Sequence, residues 1–158
     1  MGRWWLIPVS EENWYKIKTL SLYGAPSLSP RQPWKKIKKK DFMIFYIKKR
    51  DSKDLGGMLT GLYKVISEWF LGTEPIWPDE VRASKIIYMW RVKINKVMLS
   101  KVFLNDILHS LSFIKDKTNY SFYLMGTPAN LGRPLPQHDV KVILKAFKSY
   151  SDEQRISV

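Results

Sequence analysis

The chain of 158 residues contains no cysteine. Disulfides, thiolate nucleophiles and cysteine-based zinc sites are therefore excluded. Histidine is nearly absent too: His109 and His138 stand far apart, with no partner at a metal or triad spacing, and both read as surface or helix residues. No uninterrupted apolar stretch approaches the roughly 18 residues of a membrane span. The first apolar run, Trp4 to Val9, is shorter than a signal-peptide core and passes into Glu11 and Glu12, and Leu6 stands where a myristoylation pattern needs Ser or Thr. These absences favour a cytoplasmic location with no membrane partner. Motifs for dinucleotide, nucleoside-triphosphate or serine-hydrolase chemistry are missing. The adjacent carboxylates Glu11 and Glu12, and Asp79 and Glu80, are expected to face solvent. The sequence thus predicts no catalytic residue, no metal and no cofactor.

Charge and rings are what the chain has. Lys plus Arg number 27 against 14 acids, a net charge of +13, and hydrophobic residues make up 45%. The length and balance suit one globular domain. The basic excess suits a polyanionic partner, RNA or DNA above all. Nothing speaks for an oligomer, and a monomer is the working expectation.

Along the chain, residues 3–9 read as a strand. Ser10 caps a helix with Glu11 and Glu12 in its first turn and Trp14, Ile17 and Leu20 on its apolar face, and Gly24 supplies the stop. Residues 25–33, with three prolines and two serines, are loop. Strands follow at 41–47 and 58–70, antiparallel neighbours with a possible bulge at Gly61. A proline-bearing loop (71–80), a strand (85–94), a short helix (101–108) and a strand (120–125) come next. Val140, Ile143, Leu144 and Phe147 then repeat at helical spacing after Pro136. The expected domain spans 1–158, its core 3–148 and a flexible tail 149–158. Closely spaced strands with few helices predict an α+β mixed barrel, not a doubly wound sheet.

The stretches "WWLIPVSEENW", "LYGAP", "IKKKDFMIFYI", "GLYKVISEWF", "EPIWP", "YMWRVKI", "LSFIKDKTNYSFYLMG" and "LPQHDVKVI", in this order, resemble the EVE family of the PUA-like superfamily, to which YTH domains are related, and especially its compact archaeal single-domain members. The resemblance covers Arg3 to Phe147. Tyr23 stands where the family often has Trp, Lys38-Lys39-Lys40-Asp41 where it often has Lys-Pro-Gly-Asp, and Tyr120 where Trp is common.

The resemblance implies a PUA-like mixed β-barrel with peripheral helices, and a non-enzymatic module that holds a flipped or single-stranded, modified (for example methylated) nucleobase in an aromatic cage. By position it implies Asn13, Tyr23, Gly24 and Trp77 as the base pocket, with Tyr23 and Trp77 as walls and the Asn13 amide on the base edge. Trp77 lies in a proline-flanked loop, where an unpartnered ring would be exposed. Arg31, Lys35, Lys36, Lys38, Lys39, Lys40, Lys48, Lys49 and Arg50 flank the strand at 41–47, and are expected to converge on one phosphate-binding rim. Two alternatives stay open: an RNA-processing enzyme of the related PUA/ASCH type, and a binder of structured RNA with no base pocket.

Overall fold

The structure is a computed structural model, and it describes residues 2–26, 33–118, 120 and 133–156. Its centre is a mixed six-stranded sheet of order β1-β3-β4-β6-β2. These strands are β1 (Trp4–Val9), β2 (Leu22–Ala25), β3 (Phe42–Ile47), β4 (Met58–Val65) and β6 (Trp90–Phe103); the two-residue β5 (Phe70–Leu71) also pairs with β6. Only the β1–β3 pairing is parallel. The sheet curls into a half-barrel, with α1 (Glu11–Leu20) and α2 (Pro78–Ala83) on one side, and α3 (Leu104–Ile107) and α4 (Gln137–Ile156) serving the other.

Alternation along the strands sorts side chains into two cores. Trp5, Ile7 and Val9 of β1, with Met43, Phe45 and Ile47 of β3, join Trp14 and Ile17 of α1. Ile44 and Tyr46 of β3, with Leu59 and Leu62 of β4, meet Ile143 and Phe147 of α4 on the opposite face. This two-sided burial explains why "FMIFYI" is apolar throughout. Strict alternation would send Leu59 to the face of Tyr63. Against β3 the register slips at Thr60, between Phe45↔Gly61 and Tyr46↔Leu59, and this one-residue bulge reverses the parity. Pro8 sits in β1 at the sheet's edge, where its missing donor costs little.

Ser10 caps α1 as expected, its Oγ accepting from Asn13 N at 3.3 Å. The stop is different. Ser21 adopts the left-handed conformation (φ 52°) and donates to Ile17 O, while Gly24 lies inside β2. Leu20, assigned to the apolar face, is exposed at the helix end. The region read as loop at 71–80 contains the start of α2. The strand expected at 58–70 ends at Val65, and the one expected at 85–94 runs on as the 14-residue β6. Helix α4 runs to Ile156, into the segment expected to be a tail. The strand expected at 120–125 falls outside the described residues apart from Tyr120.

Buried carboxylates tie the connections to this frame. Glu11 accepts from the backbone N–H groups of Lys53, Asp54 and Leu55 at 2.6–2.9 Å. Asp41 accepts from Arg3 N, Lys38 N and Trp5 Nε1, and Asp139 from Ser112 and Phe113. Each satisfies backbone donors that would otherwise be buried without partners. The expectation that Glu11 and Glu80 face solvent fails for this reason: both are buried anchors.

Candidate nucleic-acid interface

Glu80 organises the region around Trp77. Its carboxylate is fully buried and accepts from the N–H groups of Ile76, Trp77, Ile87 and Tyr88, and from Arg91 at 3.2 Å. Burial alone would raise its pKa; the four backbone donors outweigh it and hold the group below the ordinary carboxylate value. The loop after β5 is thereby drawn onto β6. Arg91 also donates to the carbonyls of Glu74 and Tyr88, and its guanidinium lies 5.0 Å from the centroid of the Trp77 ring.

Trp77 is consequently buried, 1% exposed, contrary to the expectation of an exposed loop ring. It meets Tyr88 edge-on at 5.6 Å. Gly24 lies against it: a Cβ there would fall 2.6 Å from Trp77 Cη2 and 2.7 Å from Tyr88 Cβ. This close approach, not a helix stop, is why position 24 is glycine.

Tyr23 is half-buried, and its ring packs against Phe45 at 5.9 Å and Trp69 at 6.3 Å. Successive residues of a strand project to opposite faces. Trp77 covers the Gly24 side of β2, and Tyr23 packs against the hydrophobic cluster to which Trp77 belongs. Burial pushes the Tyr23 phenol well above its usual pKa. Trp34 packs on the same core as Tyr23 and Trp69.

Asn13 is 6% exposed in the first turn of α1. Its Nδ2 donates to Asp79 Oδ2 at 3.3 Å and to Tyr88 Oη at 3.2 Å, and Tyr88 Oη donates in turn to Asp79 Oδ2. Burial, then the bond to Asp79, raises the Tyr88 pKa, so the phenol stays a donor. Asn13 Oδ1 is buried and has no hydrogen-bond partner. The indole Nε1 groups of Trp34 and Trp77 share that condition, whereas Trp5 Nε1 donates to Asp41 and Trp69 Nε1 to Ile37 O. Unpaired polar groups of this kind are rare in protein interiors, and three of them fall around one aromatic cluster.

The structure thus brings Asn13, Gly24 and Trp77 together around Tyr88, and sets Tyr23 with Trp69. Sequence reasoning passed over Trp34, Trp69, Tyr88 and Arg91, and assigned Asp79 and Glu80 to solvent. "WPDE" carried a usable pattern, proline at the first helical position with acids behind it, but six residues are too few for periodicity to show.

Among the described residues the basic clusters do not form one rim. Lys38, Lys39 and Lys40 precede β3 and are exposed, whereas Lys48, Lys49 and Arg50 follow it; a strand of that length separates the groups by about 20 Å. Lys38–Lys40 is the cluster beside the rings, since Ile37 O accepts from Trp69, the neighbour of Tyr23. Lys36 is exposed and engaged within the fold. In the distal group, Lys49 Nζ bonds to Tyr120 Oη and lies 5.1 Å from its ring centroid, and Arg50 pairs loosely with Asp51 at 3.9 Å. Arg31 and the Lys35 side chain fall outside the described residues. Among the described residues no acidic or histidine cluster is suited to a metal ion, and no helix is long and apolar enough to cross a membrane.

The family model of the EVE domain matches residues 3–146. The chain belongs to the EVE family. This EVE protein is similar to the UPF0310 protein SSO2595 of Saccharolobus solfataricus, 35% identical over 92% of the chain and 95% of that relative. A UPF0310 protein of Pyrococcus abyssi, PYRAB08750, is 30% identical over 89% and 96%. Among solved structures, the Mmi1 YTH domain in complex with RNA superposes with a TM-score of 0.61 at 16% identity, covering 99% of this chain and 87% of that one. A YTH domain of the Zygosaccharomyces rouxii MRB1 protein in complex with N6-methyladenosine RNA gives 0.55 at 15%, covering 92% and 86%. The EVE protein shares with these the PUA-like fold.

Proposed function

We propose that this EVE protein is a non-catalytic nucleic-acid-binding module that captures a single-stranded or flipped nucleobase, modified for example by methylation, beside Asn13. The observation that carries the reading is the Asn13 amide oxygen, buried and unpartnered while the amide nitrogen is fully committed. A buried acceptor left without a donor costs about 1–3 kcal/mol, a cost removed when a ligand supplies the donor. Tyr23 and Trp69, both half-buried, offer the aromatic surface, and a base stacked on such a ring gains about 1–3 kcal/mol. Gly24, Trp77 and Glu80 act behind them as the support that fixes the neighbouring loop. The fold shared with YTH domains seen in complex with RNA, one of them with N6-methyladenosine RNA, is consistent with this role.

Lys38, Lys39 and Lys40 take the phosphates next to the base, with Lys36 beside them. Arg31 and Lys35 are assigned to the same path on sequence position. Lys48, Lys49 and Arg50 would meet a more distant part of the strand. Phosphate contacts position the strand without specifying it, so they confer salt dependence rather than selectivity.

The test is anisotropy binding of short single-stranded RNA and DNA carrying one central base, methylated or plain, to wild type, Asn13→Ala and Tyr23→Ala. The expected result is tighter binding of one methylated strand, weakened about tenfold by either substitution. Equal affinity for plain and methylated strands, unchanged in both variants, would overturn the proposal.

A further inference from the structure

We infer that Asp79 is a specificity-determining positioning residue: by locking the Asn13 amide it makes the site select bases that offer an N–H donor, with an exocyclic amino group, over their carbonyl counterparts. The inference rests on the base-binding reading above and adds a direction to it. A side-chain amide has two nearly isosteric orientations, and its surroundings decide which one holds.

Here the surroundings are one-sided. A carboxylate only accepts hydrogen bonds, so Asp79 Oδ2, at 3.3 Å, requires the amide nitrogen on its side. Tyr88 Oη spends its own proton on the same carboxylate oxygen and presents Asn13 with a lone pair, at 3.2 Å. Turning the amide over would set a carbonyl against a carboxylate and forfeit both bonds. Asp79 is itself held, since its other oxygen accepts from Glu80 N at 3.0 Å. The group left for a ligand is therefore Oδ1, an acceptor. Facing an amino group it forms a hydrogen bond; facing a carbonyl it meets another acceptor. A singly methylated amine keeps one N–H and passes, while a doubly methylated amine has none.

The probes are short single strands that differ at one central nucleotide: cytosine against uracil, adenine against hypoxanthine, and N4-methylcytosine against N4,N4-dimethylcytosine. Wild type is expected to bind the N–H-bearing member of at least one pair about tenfold or more tightly, in line with the discrimination of a hydrogen-bonded base edge. Asp79→Asn offers the amide a donor as well as an acceptor and keeps an oxygen for Glu80 N, so the preference should collapse while melting temperature and salt dependence hold. Should that variant fold poorly, Tyr88→Phe tests the same lock by removing the hydroxyl that fixes the second amide hydrogen, and a reduced preference is expected. Asn13-dependent binding with no preference, or with the carbonyl member preferred, overturns this inference and leaves the base-binding reading intact. A wild-type preference that survives both Asp79→Asn and Tyr88→Phe overturns the lock. Binding to every strand that ignores Asn13→Ala overturns both readings.

Discussion

Replacing Lys40 by glycine should strengthen the fold and weaken binding at once. Lys40 closes the turn into β3 at φ 80°, a left-handed conformation that costs an L-residue about 1–2 kcal/mol. It cannot relax, because its N–H donates to Val65 O at 2.8 Å and the Val65 N–H donates to Asp41 O at 2.8 Å. Glycine removes the steric cost but gives back about 0.5–1 kcal/mol in unfolded-state freedom. The net gain is about 0.5–1 kcal/mol. For a chain of this size that raises the melting temperature by about 1–4 °C in calorimetry. A side chain that strains its backbone at an exposed position invites a functional explanation, and phosphate binding is the one offered here. In a titration of a single strand across ionic strengths, Lys40→Gly should therefore flatten the slope of log affinity against log salt by about 0.7. Lys40→Ala separates the effects by keeping the strain and removing the charge, so only the slope should fall. A Lys40→Gly protein that melts at or below the wild-type temperature refutes the strain argument, and an unchanged slope refutes the phosphate contact.

The site's supporting residues give sharper effects on stability. Gly24→Ala should cost about 1–3 kcal/mol in urea unfolding, because its methyl would overlap the Trp77 ring; a neutral result would mean that ring is free to move. Trp77→Ala should cost about 3–5 kcal/mol by the same measurement and reduce binding through lost structure, whereas Tyr23→Ala, at a half-buried position, should lose affinity with a smaller fall in stability. The buried anchors predict acid sensitivity. Backbone donors, that of Lys53 foremost for Glu11, keep the folded pKa values of Glu11 and Glu80 below the ordinary value, so their contribution is complete above about pH 4.3 and is lost as pH falls through the depressed values. Denaturant midpoints should drop below that pH, and the drop should be smaller in Glu80→Gln, which starts less stable.

Elements that fold on their own pattern were readable. In β1 and β3 the apolar runs, and in α1 and α4 the helical spacing, with the Ser10 cap of α1, sufficed. Elements created by a neighbour were not. The four residues of β2 include a glycine and owe their strand geometry to antiparallel pairing with Leu22↔Lys93 through Ala25↔Trp90. The site divides the same way. Asn13, Gly24 and Trp77 could be named from position, but the roles of Glu80 and Asp79 depend on backbone N–H groups and a phenol brought to them by folding. Trp77 shows the hazard most plainly, since a tryptophan between prolines looks exposed until Glu80 and Arg91 are seen pulling its loop inward.

Base capture at Asn13 is tested most directly by titrating isotope-labelled protein with a short single strand and following side-chain N–H resonances. The Asn13 amide pair and the Tyr23 ring should shift, together with the unpartnered Trp34 or Trp77 indole, while the Trp5 indole, buried and already bonded to Asp41, stays close to its free position. Shifts confined to the backbone around Lys38–Lys40, with the Asn13 amide unmoved at saturation, would contradict the account and leave only an electrostatic strand binder.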